Sequence, residues 1–335
     1  MKERIQYLDA IKGFAILLVV MGHVLAWNFP HNISILFEVN QPFNVKMGGA
    51  LFQLIYSFHM PLFFLVSGYL FGGKEISNYS QIRKDIMGKV KRLLIPYVFT
   101  GFLIYFVRGH YGYWFLLSLF ELYVYSIILC LILSKLNFKG FPVDILVLTL
   151  GFFFLKVMHV YFIPPFFDVE IGKFVPFYIP FSFGILMGRN RMIEKLVSSP
   201  LCFTICLILF CILFFSRYVQ IIPLLYQISS KLTRIMSLLG CICVFHVFML
   251  GFSKKFLSIL SYLGQKTMPI YILHILFVLQ IVEVGEFIVL SSPVTSLVIQ
   301  IIYSLFASAI AILLSLLSYK IISYSPHLTR IMFGE

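Results

Sequence analysis

Two residues near the start of the chain, Lys12 and His23, have types and a spacing that could support chemistry. A basic N-terminal segment leads into an apolar run, residues 13–29, in which His23 is the one ionisable side chain. Eleven helical steps of about 100° bring both side chains to one helix face, about 16 Å apart along the axis. An ionisable group at membrane depth is costly and usually has a partner or a function. Asp9, three residues before Lys12, predicts a local ion pair.

His59 and His274 lie in two other apolar runs, at a depth comparable to that of His23. Imidazole titrates near neutrality and can accept or donate a proton, as general acid–base chemistry requires. Two interpretations stay open for each histidine, namely a catalytic group and a buried hydrogen-bonding group between helices. Zinc binding by the three is a further possibility, but no carboxylate pattern that would orient the ligands is visible, so we expect no metal.

A carboxylate and a basic cluster complete the candidate groups. Glu121 is the one carboxylate well inside its apolar run, where it could orient a histidine, pair with a cation or form a structural ion pair. Lys89, Lys91 and Arg92 form a basic cluster just before another apolar run. Such clusters suit the phosphates of a cytoplasmic ligand. The alternative is that they only orient the protein and contact anionic lipid.

The elements that position these residues must be membrane helices. The chain has 335 residues, of which 61% are hydrophobic and 12% charged, and its mean hydropathy is +0.99. Soluble domains are typically about a quarter charged. The composition therefore predicts an all-α polytopic membrane protein, which we interpret as a single domain over residues 1–335. The net charge of +13 does not require a nucleic-acid partner, and we expect none, because basic loops orient membrane proteins.

Apolar runs that are long enough to cross a bilayer predict about ten helices. They cover residues 13–29, 50–72, 93–108, 113–134, 142–162, 174–188, 200–216, 235–252, 266–288 and 295–318. With the N-terminus in the cytoplasm, nineteen of the 26 Lys and Arg residues lie on the cytoplasmic side. The positive-inside rule then predicts that both termini are cytoplasmic, which requires an even number of helices.

Several segments resemble a known family of membrane enzymes. Residues 7–23, YLDAIKGFAILLVVMGH, resemble the opening of the acyltransferase family 3 proteins, whose signature is Arg or Lys, ten residues and then His. Residues 58–70, FHMPLFFLVSGYL, resemble the second-helix motif, especially that of the fucose 4-O-acetylase-like branch. Residues 93–97, 114–116 and 261–274 follow in the family's order.

The resemblance implies a ten-helix enzyme of the bacterial cytoplasmic (inner) membrane. Such an O-acyltransferase commonly moves acetyl from cytoplasmic acetyl-CoA to a sugar hydroxyl of a cell-surface polysaccharide or its lipid-linked precursor. Lys12 takes the place that Arg usually holds, and His23 that of the essential His. Lysine keeps the charge but lacks the planar two-point fork of Arg.

The residues and the resemblance together give a mechanistic hypothesis. Lys89, Lys91 and Arg92 would hold the phosphates of CoA, and the pantetheine arm would pass Lys12 to bring the thioester near His23. That residue would deprotonate the acceptor hydroxyl or take the acetyl group itself, with His59, His274 or Glu121 polarising the carbonyl or orienting His23. The alternative is a proton-coupled transporter or flippase of a glycan intermediate, in which the histidines relay protons.

Overall fold

The computed structural model describes residues 6–29, 49–73, 79–108, 113–135, 140–161, 171–219, 227, 231–289 and 293–335. Within these ranges every regular element is a helix, which confirms the all-α prediction for the described residues. A π-helical turn, Val90–Leu94, joins two of the helices, and a 3₁₀ segment, Ile171–Phe177, precedes another. In chain order the helices are α1 (Gln6–Asn28), α2 (Gly49–Gly72), α3 (Tyr79–Lys89), α4 (Ile95–Arg108), α5 (Trp114–Lys135), α6 (Phe141–Tyr161), α7 (Tyr178–Arg189), α8 (Arg191–Val197), α9 (Pro200–Val219), α10 (Thr233–Leu250), α11 (Lys254–Gln265), α12 (Thr267–Phe277), α13 (Val282–Val289), α14 (Pro293–Ile322) and α15 (Pro326–Phe333).

Seven helices of the described residues are long and apolar enough to cross a membrane. They are α1, α2, α5, α6, α9, α10 and α14. An eighth span is formed if α12 and α13, which meet at an angle of 89°, count as one broken span. The two shortest predicted segments, 93–108 and 174–188, correspond to α4 and α7, which are 14 and 12 residues long. The count of ten and the cytoplasmic termini stay predictions.

Two of the differences between the predicted segments and the observed helices concern the candidate residues. The first helix begins at Gln6 rather than at residue 13, so that both Asp9 and Lys12 lie within it. The ninth predicted segment, 266–288, is not one helix, because residues 278–281 are not helical. No proline or glycine marks this break, since these residues read Val-Leu-Gln-Ile. The side chain that stabilises the break comes from α1.

The described residues divide into two compact units, and each is described by itself. The first unit takes residues 1–63 and 196–321, and the second takes residues 64–195 and 322–335. The first therefore contains α1, the first part of α2 and the helices from α9 to nearly the end of α14. The second contains the rest of α2, the helices from α3 to α7, nearly all of α8, and α15.

In the first unit, α1 crosses α11 at two glycines. A Cβ atom on Gly13 would lie 1.8 Å from the carbonyl oxygen of Leu260, and one on Gly264 would lie 1.8 Å from that of Asp9. Small residues allow helices in membranes to approach closely. The crossing fixes the N-terminal part of α1, where Lys12 lies, against a helix that the hydropathy pattern did not predict.

In the second unit, glycines likewise allow close packing of two facing helices, α2 and α7. Gly68 and Gly72 on α2 lie against the backbone of α7, where a Cβ atom would come within 2.0 and 2.4 Å of carbonyl oxygens. Gly184 and Gly188 on α7 meet the backbone of α2 in the same way, at 2.1 and 2.3 Å. The small-xxx-small spacing on both helices accounts for this close packing.

Candidate active site

The first unit brings two of the three predicted histidines into direct contact. His23 lies on α1 and His274 in the last turn of α12. Nδ1 of His23 is 2.8 Å from Nε2 of His274. The two rings are almost parallel, with centroids 5.0 Å apart. His274 is fully buried, whereas His23 is only partly buried and is the reachable member of the pair.

The hydrogen bonds assign the tautomer of each ring. Nδ1 of His274 is 2.9 Å from the carbonyl oxygen of Ile270, and because a carbonyl only accepts, this nitrogen carries the hydrogen. A neutral imidazole has one N–H, so Nε2 of His274 is an acceptor and Nδ1 of His23 is the donor. The remaining nitrogen, Nε2 of His23, keeps a lone pair. This is the arrangement that a general base requires.

His59 lies on α2 and is also buried, with 3% of its surface exposed. Its Nδ1 is 2.8 Å from the carbonyl oxygen of Ile55, so it donates its proton within its own helix. Among the described residues the hydrogen bond of His59 therefore goes to the backbone, not to His23 or His274. His59 is therefore not a member of the hydrogen-bonded pair that His23 and His274 form.

One aromatic ring stacks on His23, and a stacked pair of rings packs next to the neighbouring residue Gly22. The Trp27 ring stacks on it, with centroids 5.4 Å apart. The Tyr56 ring occupies the space that a side chain at position 22 would fill, because a Cβ atom on Gly22 would lie 2.7 Å from it. Phe52 stacks on Tyr56 at 3.9 Å between centroids. The His23 ring thus stacks with two nearly parallel rings, those of Trp27 and His274, which limit how its imidazole can rotate.

Lys12 lies in the same continuous helix as His23, so the predicted helical spacing holds. Its Nζ is 2.6 Å from Oδ1 of Asp9, which confirms the predicted ion pair. The Lys12 side chain is 24% exposed, whereas that of Asp9 is 6% exposed. The carboxylate therefore orients a cation that solvent or a ligand can still reach.

The basic cluster and Glu121 belong to the second unit. Lys89 lies with its Nζ 3.7 Å above the centre of the Tyr123 ring, a cation–π contact. Burial and the nearby Arg92 charge lower the pKa of Lys89 to about 8. Lys91 and Arg92, on the π-helical turn, are exposed. The cluster is thus divided into one inward and two outward cations, while Glu121 is partly buried on α5.

Two further polar residues of the first unit were not singled out from the sequence. His246 on α10 is buried, with Nδ1 3.0 Å from the carbonyl oxygen of Val197 and its ring stacked on Phe203, which is a structural role. Asn28 ends α1 and bonds to the break between α12 and α13. A polar amide at the end of an apolar run was the available signal for Asn28.

Among the described residues, no three of His, Cys, Asp and Glu are arranged to hold a metal ion. The expectation of a metal-free site stays a prediction. The catalytic and donor-binding roles of the candidate residues likewise stay predictions.

Comparison with known proteins identifies the class of this chain. Residues 5–320 match the family Acyl_transf_3, described as an acyltransferase domain, and the chain belongs to this family. The family predicted from the first two motifs is therefore confirmed, while the fucose 4-O-acetylase-like branch stays a prediction. A histidine with a free lone pair is consistent with acyl-transfer chemistry.

Two curated relatives share part of the sequence. The nodulation protein NolL of Sinorhizobium fredii (strain NBRC 101917 / NGR234) is 34% identical over 91 residues, which are 27% of this chain and 22% of the relative. NolL of Mesorhizobium japonicum (strain LMG 29417 / CECT 9101 / MAFF 303099) is 30% identical over 101 residues, 30% of this chain and 24% of the relative. The match thus spans about a quarter of each relative. No solved structure matches the chain.

Proposed function

We propose that this protein is a membrane O-acetyltransferase that moves an acetyl group from cytoplasmic acetyl-CoA to a sugar hydroxyl. The acceptor is a cell-surface polysaccharide or its lipid-linked precursor, and the protein acts in the bacterial cytoplasmic membrane with about ten spans and cytoplasmic termini. The observation that supports acyl transfer best is the contact between His23 and His274, in a chain that belongs to an acyltransferase family.

The reaction begins with Nε2 of His23, which takes the proton of the acceptor hydroxyl as its oxygen attacks the thioester carbonyl carbon. The C–O bond forms, the C–S bond breaks, and the proton returns from His23 to the departing CoA sulfur. During this exchange His23 is an imidazolium, and its Nδ1–H donates to Nε2 of His274. His274 is a neutral acceptor because its own proton is engaged by Ile270. General acid–base catalysis of this kind contributes about 10²- to 10⁴-fold.

A second route uses the same atom as a nucleophile. Nε2 of His23 would attack the thioester carbonyl carbon, and the C–S bond would break to release CoA thiolate and leave an acetyl-imidazolium. The sugar hydroxyl oxygen would then attack the acetyl carbon as its bond to Nε2 breaks, and the hydroxyl proton would go to the CoA thiolate. The hydrogen bond to His274 supports both routes, since each produces positive charge on the His23 ring. His59 has its one proton engaged by the carbonyl oxygen of Ile55, so its proposed role is to orient His23 rather than to polarise the carbonyl. The role of Glu121, in the second unit, stays a prediction.

The donor nucleotide would be recognised by charge. The exposed Lys91 and Arg92 are the candidates for the CoA phosphates, and Arg offers two parallel N–H donors to a phosphate. Lys89, which contacts Tyr123, is better suited to supporting the turn than to direct phosphate contact. Lys12 is the proposed cationic contact near the acyl end of the donor.

Incubation of membranes with radiolabelled acetyl-CoA tests the proposed class. Membranes that contain this protein should transfer label covalently to glycan or glycolipid, and membranes without it should not. A proton-coupled transporter or flippase, for which the contacting histidines would be a relay, would leave no covalent label. Absence of label above the control, with the protein present and folded, would contradict the acetyltransferase.

A further inference from the structure

Asn28, the last residue of α1, is fully buried and uses all of its hydrogen-bonding capacity. Its Nδ2 donates to the carbonyl oxygens of Val24, at 2.8 Å, and Leu279, at 3.0 Å. Its Oδ1 accepts from the backbone N–H of Ile281, at 2.7 Å, and the hydroxyl of Tyr303, at 3.1 Å. An amide side chain has two donor hydrogens and two acceptor lone pairs. No position is left for a substrate, so the residue acts by holding its neighbours.

What Asn28 holds is the break between α12 and α13. Leu279 and Ile281 lie in the non-helical segment 278–281, where the chain bends by 89°. Within a membrane, a broken helix persists where other groups of the protein satisfy the freed backbone atoms. Asn28 satisfies one carbonyl and one N–H. A Cβ atom on Gly285 would lie 1.6 Å from the carbonyl oxygen of Asn28, so α13 also packs directly on the end of α1.

The break begins four residues after His274. The N–H of Val278 bonds to the carbonyl oxygen of His274 at 2.9 Å, so this histidine forms part of the last turn of α12. The same two stretches of chain are therefore joined twice. His23 bonds to His274, and five residues further along both stretches Asn28 bonds to Leu279. The second contact limits how far the end of α12 can move away from α1.

We infer that Asn28 is a positioning residue for the reaction at His23. By fixing the broken end of α12, it keeps Nε2 of His274 within hydrogen-bonding distance of Nδ1 of His23. Its effect on catalysis rests on the proposed acetyltransferase function, whereas its effect on the histidine contact does not. Asn28 would act on His23 through the position of His274, because none of the four hydrogen bonds of Asn28 goes to either imidazole.

A kinetic double-mutant cycle tests the route. Asn28→Ala should lower kcat by about 10²-fold, as expected for a small misplacement of a catalytic group, with less effect on the acceptor KM. In a His274→Ala background, Asn28→Ala should have almost no further effect on kcat, because residues that act through one another are non-additive. If the two losses multiply, Asn28 does not act through His274 and the inference is overturned.

Two further variants distinguish a loss of positioning from a folding defect. Asn28→Asp keeps both acceptor bonds and loses the donor bonds, including the one to Leu279, so it should still lower kcat if Asn28→Ala does not fold. Ser315→Ala is the matched control, because Ser315 is buried on α14 and, among the described residues, its hydrogen bond stays within its helix, to the carbonyl oxygen of Ala311. This control should keep kcat within about twofold; an equal loss in both variants would indicate a general effect of buried polar groups and overturn the inference.

Nuclear magnetic resonance of ¹⁵N-histidine-labelled full-length protein in detergent separates this inference from the proposed function. Wild-type protein should show His274 as the Nδ1–H tautomer, and Asn28→Asp should shift its ring nitrogen signals, while Ser315→Ala should not. Unchanged His274 signals in Asn28→Asp would overturn the inference even if acetyl transfer is found. Shifted signals would support it even if the wild-type protein transfers no acetyl group.

Discussion

Nδ1 of His23 and Nε2 of His274 lie 2.8 Å apart, although 251 positions separate the two residues in the sequence. The carbonyl oxygen of Ile270 holds the proton of His274 on its other nitrogen. His23 is therefore the donor and His274 the acceptor of the hydrogen bond between them. The nitrogen that keeps a lone pair is Nε2 of His23, on the partly exposed ring. This relationship, rather than the presence of histidines in the membrane, is what a catalytic role depends on.

Replacement of His274, which accepts the hydrogen bond from His23, should slow the reaction without abolishing it. We expect His274→Ala to lower kcat by about 10²-fold, because His23 loses the group that orients it and accepts its Nδ1–H. The acceptor KM should change much less, since His274 is buried behind His23. Initial rates over a range of acceptor concentrations measure both. His246→Ala is the control, because this buried histidine contacts Val197 rather than the pair; an equal loss of kcat in it would contradict the specific role of His274.

The charge of Lys12 should matter more than the identity of the residue. Lys12→Met should raise the KM for acetyl-CoA about tenfold, which corresponds to about 1.4 kcal/mol. Lys12→Arg should keep the wild-type KM, because it retains both the charge and an ion-pair partner for Asp9. Donor titrations on purified protein check this. A wild-type KM in Lys12→Met would show that the cation does not contribute to donor binding.

The exposed cations of the π-helical turn should contribute to donor binding. The double charge reversal of Lys91 and Arg92 to Glu should raise the KM for acetyl-CoA by at least about tenfold, and added salt should weaken the difference. Lys254 and Lys255, which are exposed at the start of α11, provide the matched double reversal. Equal KM values in the two double variants would favour an orienting or lipid-binding role for Lys91 and Arg92.

Close packing at the crossing of α1 and α11 should make Gly264 intolerant of a side chain. Gly264→Ala places a methyl group against the carbonyl oxygen of Asp9 and should lower the free energy of unfolding by about 1–3 kcal/mol or more. Gly88→Ala is the control, because its added Cβ has no described neighbour within 4 Å apart from the local backbone of its own helix. Thermal unfolding in detergent compares the two. An unchanged Tm for Gly264→Ala would contradict the close approach of these helices.

The stability of the protein should depend on pH through Lys89. Burial and Arg92 lower its pKa from 10.5 to about 8, while Asp85 acts in the opposite direction. Between about pH 8 and 10.5 the unfolded chain binds the proton that the folded protein has released, so stability rises with pH in this window. Lys89→Met should remove that rise, whereas Lys91→Met should retain it. Tm values measured across the window check this, and identical profiles for wild type and Lys89→Met would contradict it.

The sequence was informative where helical periodicity alone decides the geometry. Asp9, Lys12 and His23 share one helix, so the ion pair followed from their spacing and is confirmed. Membrane depth likewise placed His23 and His274 in one layer, but depth does not say which helices are neighbours. The hydrogen bond between these two residues required the structure, and it leaves His59 with a backbone partner instead.

Other features depend on tertiary contacts that leave little trace in the sequence. The break at 278–281 contains neither proline nor glycine, because its stability comes from Asn28, about 250 residues away. Lys89, Lys91 and Arg92 look equivalent as a run of basic residues. The π-helical turn and the Tyr123 ring give Lys89 a different environment from that of its two neighbours.

A single-turnover experiment on His23→Ala tests the central claim most directly. Purified wild-type protein, His23→Ala and His246→Ala are each mixed with radiolabelled acetyl-CoA and glycan acceptor, after their folding has been compared by thermal unfolding. We predict label on the acceptor with wild type and His246→Ala, and none above background with folded His23→Ala. Near-normal labelling of the acceptor by His23→Ala would contradict the account.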